Sequence, residues 1–371
     1  MVLKKAKKVL NELNKNGYEA YIVGGFVRDY LLKRKSYDID ICTSATPKEI
    51  KEVFKDACLP TEDYGSVIIV IASTRFEITT YRKEISYSNH RKPEEIEYIT
   101  DLKEDVLRRD FTINSLCMDK NEKIIDLLNG REDLKKKVIN TIGDSYVRFE
   151  EDALRILRAI RFATILNFSL SSDIVYAIKR TKHLLKNLSY ERKKQELDKI
   201  FSSPNIKVGI SLIKDLALEE ELEVDVSKLN QIGQCNDLLG IWALLDVTDI
   251  YPFTSNEREL IMDIKNLLDE RVVDNKSLYK YDLYPNIVVA SIMGMDKRKV
   301  TKMYNRLPIK SRKDLCVDAT TISKVLEQEP GGYLREVFED LEDKILTGKL
   351  KNKKAVVLKY IVKKYKKWYN K

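Results

Sequence analysis

An α+β chain is predicted: a small mixed sheet in an N-terminal α/β domain, followed by domains that are nearly all helix. Three observations predict it. Up to about residue 140, helix-like and strand-like segments alternate. From about Ser145 the apolar spacing is helical almost throughout. Prolines at Pro204, Pro252, Pro285, Pro308 and Pro330 mark joints between those later helices. A length of 371 residues allows two or three domains. The expected divisions are 1–140, 141–205 and 206–371.

The elements follow in order. In the opening stretch Val2, Leu3, Ala6, Val9, Leu10 and Leu13 recur at helical spacing. Charges run throughout it, so an amphipathic helix is expected rather than a signal peptide. YEAYIV reads as a strand closed by Gly24-Gly25, with a helix over about 26–34. YDIDICT is the next strand, and Thr46-Pro47 starts a helix through TPKEIKEVFKD. SVIIVIA and FEITTYR form a hairpin turning around 73–75. RKEISYSNHRKPEEIEY has few apolar residues and is expected to be a mobile loop. RRDFTINSLCMD is expected to be helical, and KIIDLLNG a strand and turn. EEDALRILRAIRFA, SDIVYAIKRTKHLL and SYERKKQELDKIF are expected helices.

Composition excludes several function classes. Hydrophobic residues at 43% and charged residues at 34% describe a globular chain with a core, and no run of eighteen apolar residues could span a membrane. Five scattered cysteines without metal-ligand spacing fit a reduced, cytoplasmic chain. Two histidines, His90 and His183, exclude a histidine-rich metal site, and neither has the context of a Ser-His-Asp triad. The net charge is +9, and residues 351–371 hold nine lysines and no acid. Their interleaving with Tyr360, Tyr365, Trp368 and Tyr369 suits phosphate contact plus stacking on nucleic acid. A solvated basic terminus explains the same pattern.

In the strand YDIDICT, alternation turns Asp38 and Asp40 to one face and Ile39 and Ile41 to the other. Adjacent carboxylates repel unless a cation lies between them. Mg²⁺, held by one or two carboxylates plus substrate phosphates, fits the pair, and two such ions support in-line displacement at phosphorus. Asp-x-Asp is also common on exposed strand faces. The glycine pair adds the missing context. Gly25 opens a helix whose first amides can meet a phosphate, and Arg28 follows one turn in. Glu77 of FEITTYR is a candidate third carboxylate, or a strand-surface glutamate.

Asp152, Arg155, Arg158 and Arg161 repeat every third residue of an otherwise apolar helix. Intrahelical salt bridges alone would explain such a row. There is also a chemical reading. An acid beside a guanidinium presents an acceptor beside a donor. Cytosine (N4–H₂ beside N3) and adenine (N6–H₂ beside N1) match that order, whereas uracil and guanine reverse it. Asp152 with Arg155 would then accept C or A, leaving Arg158 and Arg161 for the nucleotide or an RNA end. In RRDFTINSL, Arg109 suits a phosphate, and Asp110 and Asn114 suit ribose hydroxyls or helix capping.

Together these stretches resemble the bacterial tRNA nucleotidyltransferases, the CCA-adding enzymes, with their poly(A) polymerase relatives. GGFVRDYLL…YDIDICT resembles the first family motif and RRDFTINSL the second, with Ser115 where alanine is usual. IIDLLNGREDLKKKVINTIGD resembles the hinge, EDALRILRAIRFA the nucleotide template and SYERKKQELDKIF its supporting helix. The match is strong over roughly residues 20–200, weak in EPGGYLREVFEDLEDKILTGKLKN, and absent over 205–320. The resemblance implies head, neck, body and tail domains and stepwise addition of C, C and A to a tRNA 3′ end from CTP and ATP. It implies that Asp38 and Asp40 hold Mg²⁺, that Gly25 and Arg28 hold the triphosphate, and that Arg109, Asp152, Arg155, Arg158 and Arg161 contact the nucleotide. The expected partners are the tRNA acceptor arm and both nucleotides, with no membrane and no obligate protein partner. Asn89 and Lys92 replace an acid and an arginine usual in a loop that serves the switch from C to A. An A-only enzyme and a poly(A) polymerase therefore stay open. A catalytically inactive RNA-binding module is disfavoured by the intact Asp38-Ile39-Asp40. Aminoglycoside modification would explain neither the template helix nor the basic end.

Overall fold

The computed structural model describes residues 2–36, 38–55, 58–63, 65–71, 73–88, 92–231 and 237–366. Asn89, His90, Trp368 and Tyr369, all singled out in the sequence, and one of the five cysteines, Cys235, lie outside the described residues. The chain divides into two compact units, Met1–Val226 and Ser227–Lys371.

The first unit opens with α1 (Val2–Lys15), which buries Ala6, Val9, Leu10 and Leu13 on one face. It continues through β1 (Ala20–Val23), α2 (Gly25–Leu31), β2 (Asp40–Thr43) and α3 (Pro47–Val53). A capping box starts α3: Thr46 accepts from the Glu49 amide, and Glu49 accepts from the Thr46 amide. Strands β3 (Cys58–Asp63), β4 (Ser66–Ile71) and β5 (Thr74–Thr80) follow. Next come β6 (Arg82–Ser88), β7 (Lys92–Tyr98), α4 (Leu102–Leu107), β8 (Cys117–Met118) and β9 (Ile124–Ile125). The sheet has the order β3-β4-β5-β2-β1-β8-β9. It is mixed because β2 and β5 run parallel while their neighbours are antiparallel.

Two expectations in this region change. In the polar stretch expected as a loop, Arg82–Ser88 pairs with Lys92–Tyr98 as the antiparallel strands β6 and β7. A ladder satisfies the backbone without needing a continuous apolar face. The stretch RRDFTINSLCMD, expected as a helix, holds one 3₁₀ turn at Thr112–Asn114 and then β8. Side chains there capture the backbone locally: Phe111 N–H donates to Asp110 (2.8 Å) and the Ser115 hydroxyl to the Thr112 carbonyl (2.7 Å). Such bonds compete with helix formation.

Helices then dominate: α5 (Gly130–Lys136), α6 (Ser145–Glu151), α7 (Leu154–Leu166), α8 (Ser172–Thr181), α9 (Tyr190–Phe201), α10 (Ile206–Asp215) and α11 (Glu219–Leu222). Two short parallel strands, β10 (Val138–Ile139) and β11 (Ser169–Leu170), interrupt them. The expected single helix through EEDALRILRAIRFA is two. Asp152 is extended (φ −144°, ψ 102°) between α6 and α7, and its carboxylate accepts the Leu154 amide at 3.1 Å.

The second unit consists of α12 (Leu238–Leu245), α13 (Ser255–Glu270), α14 (Asn275–Tyr281), α15 (Leu283–Ile292), α16 (Lys297–Asn305), α17 (Ala319–Leu326), α18 (Tyr333–Leu346) and α19 (Lys354–Ile361). A π-helical turn, Val362–Lys366, continues α19. Val337, Leu341, Ile345, Val357, Ile361 and Tyr365 share one core. Tyr365, expected to stack on nucleic acid, is only 4% exposed. Its hydroxyl and that of Tyr360 both donate to Asp340, at 3.1 and 2.7 Å. The Tyr365 ring thus anchors the basic segment instead of offering a face to a base, while Tyr360 is half-buried beside it. Among the described residues no helix is long and apolar enough to cross a membrane, and Cys42, Cys117 and Cys316 are free thiols.

Candidate active site

A cleft of about 540 Å³ lies within the first unit. Gly25, Arg28, Asp38, Asp40, Arg109, Asp152, Arg155, Arg158 and Arg161 all line it. The tertiary fold thus brings these nine residues to one place, whereas Glu77 lines a neighbouring pocket together with Asp40 and Arg109.

The glycine pair sits at the end of β1. Gly24 adopts φ 77°, a left-handed conformation suited to glycine, and turns the chain straight into α2. Arg28, one turn in, is buried and fixed on both sides. Its Nη1 donates to Asn114 at 2.8 Å, and its Nε and Nη2 donate to Asp29 at 3.0 Å.

Asp40 begins β2, flanked by the buried Ile39 and Ile41. In register it faces Val23 on one side and Glu77, through the parallel pairing, on the other. The Asp40 side chain is open to the solvent of the cleft, yet the cleft walls still desolvate it. That desolvation, then the charges of Asp38 and Glu77, push its carboxyl up to about 6, against a smaller pull from Arg109. Among the described residues no three His, Cys, Asp or Glu side chains form a ready-made metal cage. Two crowded carboxylates short of positive charge nonetheless suit a hard divalent cation, which can take its other ligands from phosphates and water.

Asp105, 0% exposed, organises the second stretch. It accepts from Arg108 Nε (2.9 Å) and Nη2 (2.7 Å) and from Arg109 Nη2 (2.9 Å). Burial works against its charge, but the two guanidiniums outweigh burial and hold its carboxyl below the usual range. Asp110 is similarly committed. One oxygen takes the Phe111 amide and Asn114 Nδ2 (3.1 Å), and the other takes Arg158 Nε and Nη2 at 2.9 and 2.5 Å. Burial would raise its carboxyl, yet Arg158 and these donors bring it down to about 2. Asp110 is thus a bracket for Arg158 and caps no helix.

The break between α6 and α7 points Asp152 into the cleft, where burial raises its carboxyl against the opposing pull of Arg192. Arg155 Nη1 donates to Glu151 (2.7 Å) and to the Arg148 carbonyl (3.0 Å). Arg148 in turn donates from Nη2 to the carbonyls of Arg108 and Arg109, both at 2.6 Å. Arg161 pairs with Glu196 of α9 at 2.7 Å, and Arg192 of the same helix lies 4.0 Å from Asp152. Arg148, Glu151, Arg192 and Glu196 were not expected from the sequence as site residues. The i, i+3 and i, i+4 spacing of Arg148, Glu151 and Arg155 was the one visible signal. The cleft has an acidic end at Asp38 and Asp40 and a wall of arginines. It can hold a divalent cation and a polyphosphate side by side.

Three family models match this chain: the poly A polymerase head domain over residues 20–140, the RNA and SrmB-binding site of polymerase A over 167–223, and tRNA nucleotidyltransferase domain 2 over 258–361. The CCA-adding enzyme of Staphylococcus haemolyticus is 33% identical, covering 96% of both chains. That of Ligilactobacillus salivarius is 34% identical, covering 96% of this chain and 95% of the relative. The crystal structure of the Bacillus stearothermophilus CCA-adding enzyme in complex with CTP superposes with a TM-score of 0.89 at 26% identity, over 99% of this chain and 98% of that one. The Thermotoga maritima CCA-adding enzyme complexed with tRNA shares the fold, with a TM-score of 0.70 at 21% identity over 97% and 94% of the chains.

Proposed function

Because this chain belongs to the CCA-adding enzymes, we infer that the 540 Å³ cleft is where CTP and ATP are bound and their nucleotides passed to the tRNA 3′ end. The protein adds C, C and A to tRNA. In each step the terminal ribose oxygen of the tRNA bonds to the α-phosphorus, and the bond to the pyrophosphate leaving group breaks.

The geometry of the cleft supports these roles. The amides opening α2 and the fixed Arg28 guanidinium hold the triphosphate, assisted by Arg109 and Arg158. Asp152 accepts a hydrogen bond from the exocyclic amino group of C or A, and Arg155 donates to the neighbouring ring nitrogen. Arg161 completes the basic wall. Asp38 and Asp40 would hold Mg²⁺ with the phosphates, and Glu77 stands close enough to Asp40 to shift its titration. A bound Mg²⁺ would neutralise phosphate charge and acidify the attacking hydroxyl. Residues 1–140 form the catalytic head in this reading, 141–205 a neck carrying the template, and 206–371 a tRNA-binding body and tail. The convergence of Asp38, Asp40, Asp152 and Arg155 on one cleft carries the assignment.

The test offers tRNA ending before CCA, after C, or after CC, with CTP or ATP separately, and sequences the products. Ordered addition of C, C and A is expected. Extension of the CC-ending tRNA alone would restrict the activity to A addition, and extension of none would overturn the reading.

A further inference from the structure

Three guanidiniums surround one aromatic ring in the cleft. The Cζ atoms of Arg161, Arg28 and Arg158 lie 4.2, 5.2 and 5.6 Å from the centroid of Phe162. The arginines come from separate places: Arg28 from α2, Arg158 and Arg161 from the turn of α7 before the ring. Each has its own acid: Asp29, Asp110 and Glu196 respectively. The ring is itself fixed. Phe111 meets it edge-on at 5.7 Å and 79°, and Phe111 directly follows the Asp110 that brackets Arg158.

Three like charges this close repel one another, and carboxylates that neutralise them also occupy their N–H donors. An aromatic face attracts a guanidinium through its quadrupole without accepting an N–H bond. It can therefore collect cations without taking up any N–H donor beyond those that Asp29, Asn114, Asp110 and Glu196 already engage. A leucine of similar size would fill the space but supply no negative face. We propose that Phe162 is a positioning residue: it gathers Arg28, Arg158 and Arg161 into one surface that receives the nucleotide triphosphate. The proposal rests on the reading of the cleft as the nucleotide site. Phe162 acts on the phosphates and not on the base, so it serves CTP and ATP alike and has no part in choosing between them.

The test places phenylalanines with one, two or three ring fluorines at position 162 of the full chain, because fluorine weakens the ring face at nearly constant shape. CTP and ATP dissociation constants are measured by direct titration, alongside thermal unfolding. Both constants are expected to rise stepwise with fluorine count, by the same factor for the two nucleotides and about fivefold in total, at unchanged melting temperature. Phe162→Leu should weaken both about tenfold, and Phe162→Tyr should restore them. Dissociation constants indifferent to fluorine would overturn the role of the ring while leaving the cleft as the nucleotide site. A wild-type protein that binds neither nucleotide would overturn both.

Discussion

Asp40 carries the sharpest conflict at the scale of single residues. Its carboxyl is raised to about 6 in the fold, so the folded chain holds that proton more tightly than the unfolded chain does. The group therefore favours the fold at low pH, and that contribution is lost as pH rises through about 6. Asp40→Asn should consequently raise the melting temperature of metal-free protein at about pH 7.5 and change it little at about pH 4. The same variant should abolish nucleotide addition while tRNA still binds. An identical thermal effect at both pH values would contradict the crowding of the carboxylates. Glu151 makes a second residue-scale case, since it holds the Arg155 guanidinium at 2.7 Å. Removing it with Glu151→Ala should lower the selectivity for CTP and ATP over UTP and GTP by about tenfold, the loss expected for one misplaced charge-assisted hydrogen bond. Competition assays with the four nucleotides measure it, and unchanged selectivity would separate Glu151 from base choice.

Among the elements, the packing of α7, α9 and α10 decides whether the template wall stands where it does. The three helices meet at Gly209 of α10. A Cβ there would come within 2.5 Å of Ile200 Cγ2 and 2.8 Å of Thr164 Oγ1. Neither neighbour can yield easily: Ile200 is fully buried, and the Thr164 hydroxyl donates to the Ile160 carbonyl at 2.7 Å. Helix propensity would favour losing a glycine by about 1 kcal/mol, but overpacking at such a junction costs about 1 to 3 kcal/mol. Gly209→Val should therefore destabilise the first unit by about 2 kcal/mol. Faster amide hydrogen exchange across α7, α9 and α10 would show it. Protection equal to wild type would mean that the helices can part at no cost.

Across the whole molecule the excess positive charge lies at one end of the chain, but its role divides. In residues 351–366, Lys351, Lys353, Lys354, Lys359 and Lys363 are exposed, whereas Val357, Ile361 and Tyr365 complete the core of the second unit. Deleting this segment would unfold its surroundings and reveal nothing about RNA. Replacing the five lysines with glutamine keeps the core. It should leave the melting temperature unchanged, weaken tRNA binding and flatten the slope of log Kd against log salt, by about 0.7 to 0.9 for each phosphate that a lysine no longer neutralises. Affinity and slope equal to wild type would make the lysine-rich end a solvated surface.

Much of this protein was legible in one dimension. The alternation that faces Asp38 and Asp40 away from Ile39 and Ile41, the glycine pair before a helix, and the triplet spacing of Asp152, Arg155, Arg158 and Arg161 are local patterns. Local patterns depend on helix and strand periods that neighbours in sequence already obey. The cleft itself was decided elsewhere. The parallel pairing of β2 with β5 put Glu77 beside Asp40. Asp110 took hold of Arg158 from a segment expected to be a helix, and Phe162 drew in an arginine from α2. At the kink, the Asp152 carboxylate accepts the first amide of the next helix. Each is an interaction between residues far apart in the chain, or a competition between a side chain and the backbone it interrupts. Packing and hydrogen-bond partners settle such choices, and neither is written in the spacing of residues.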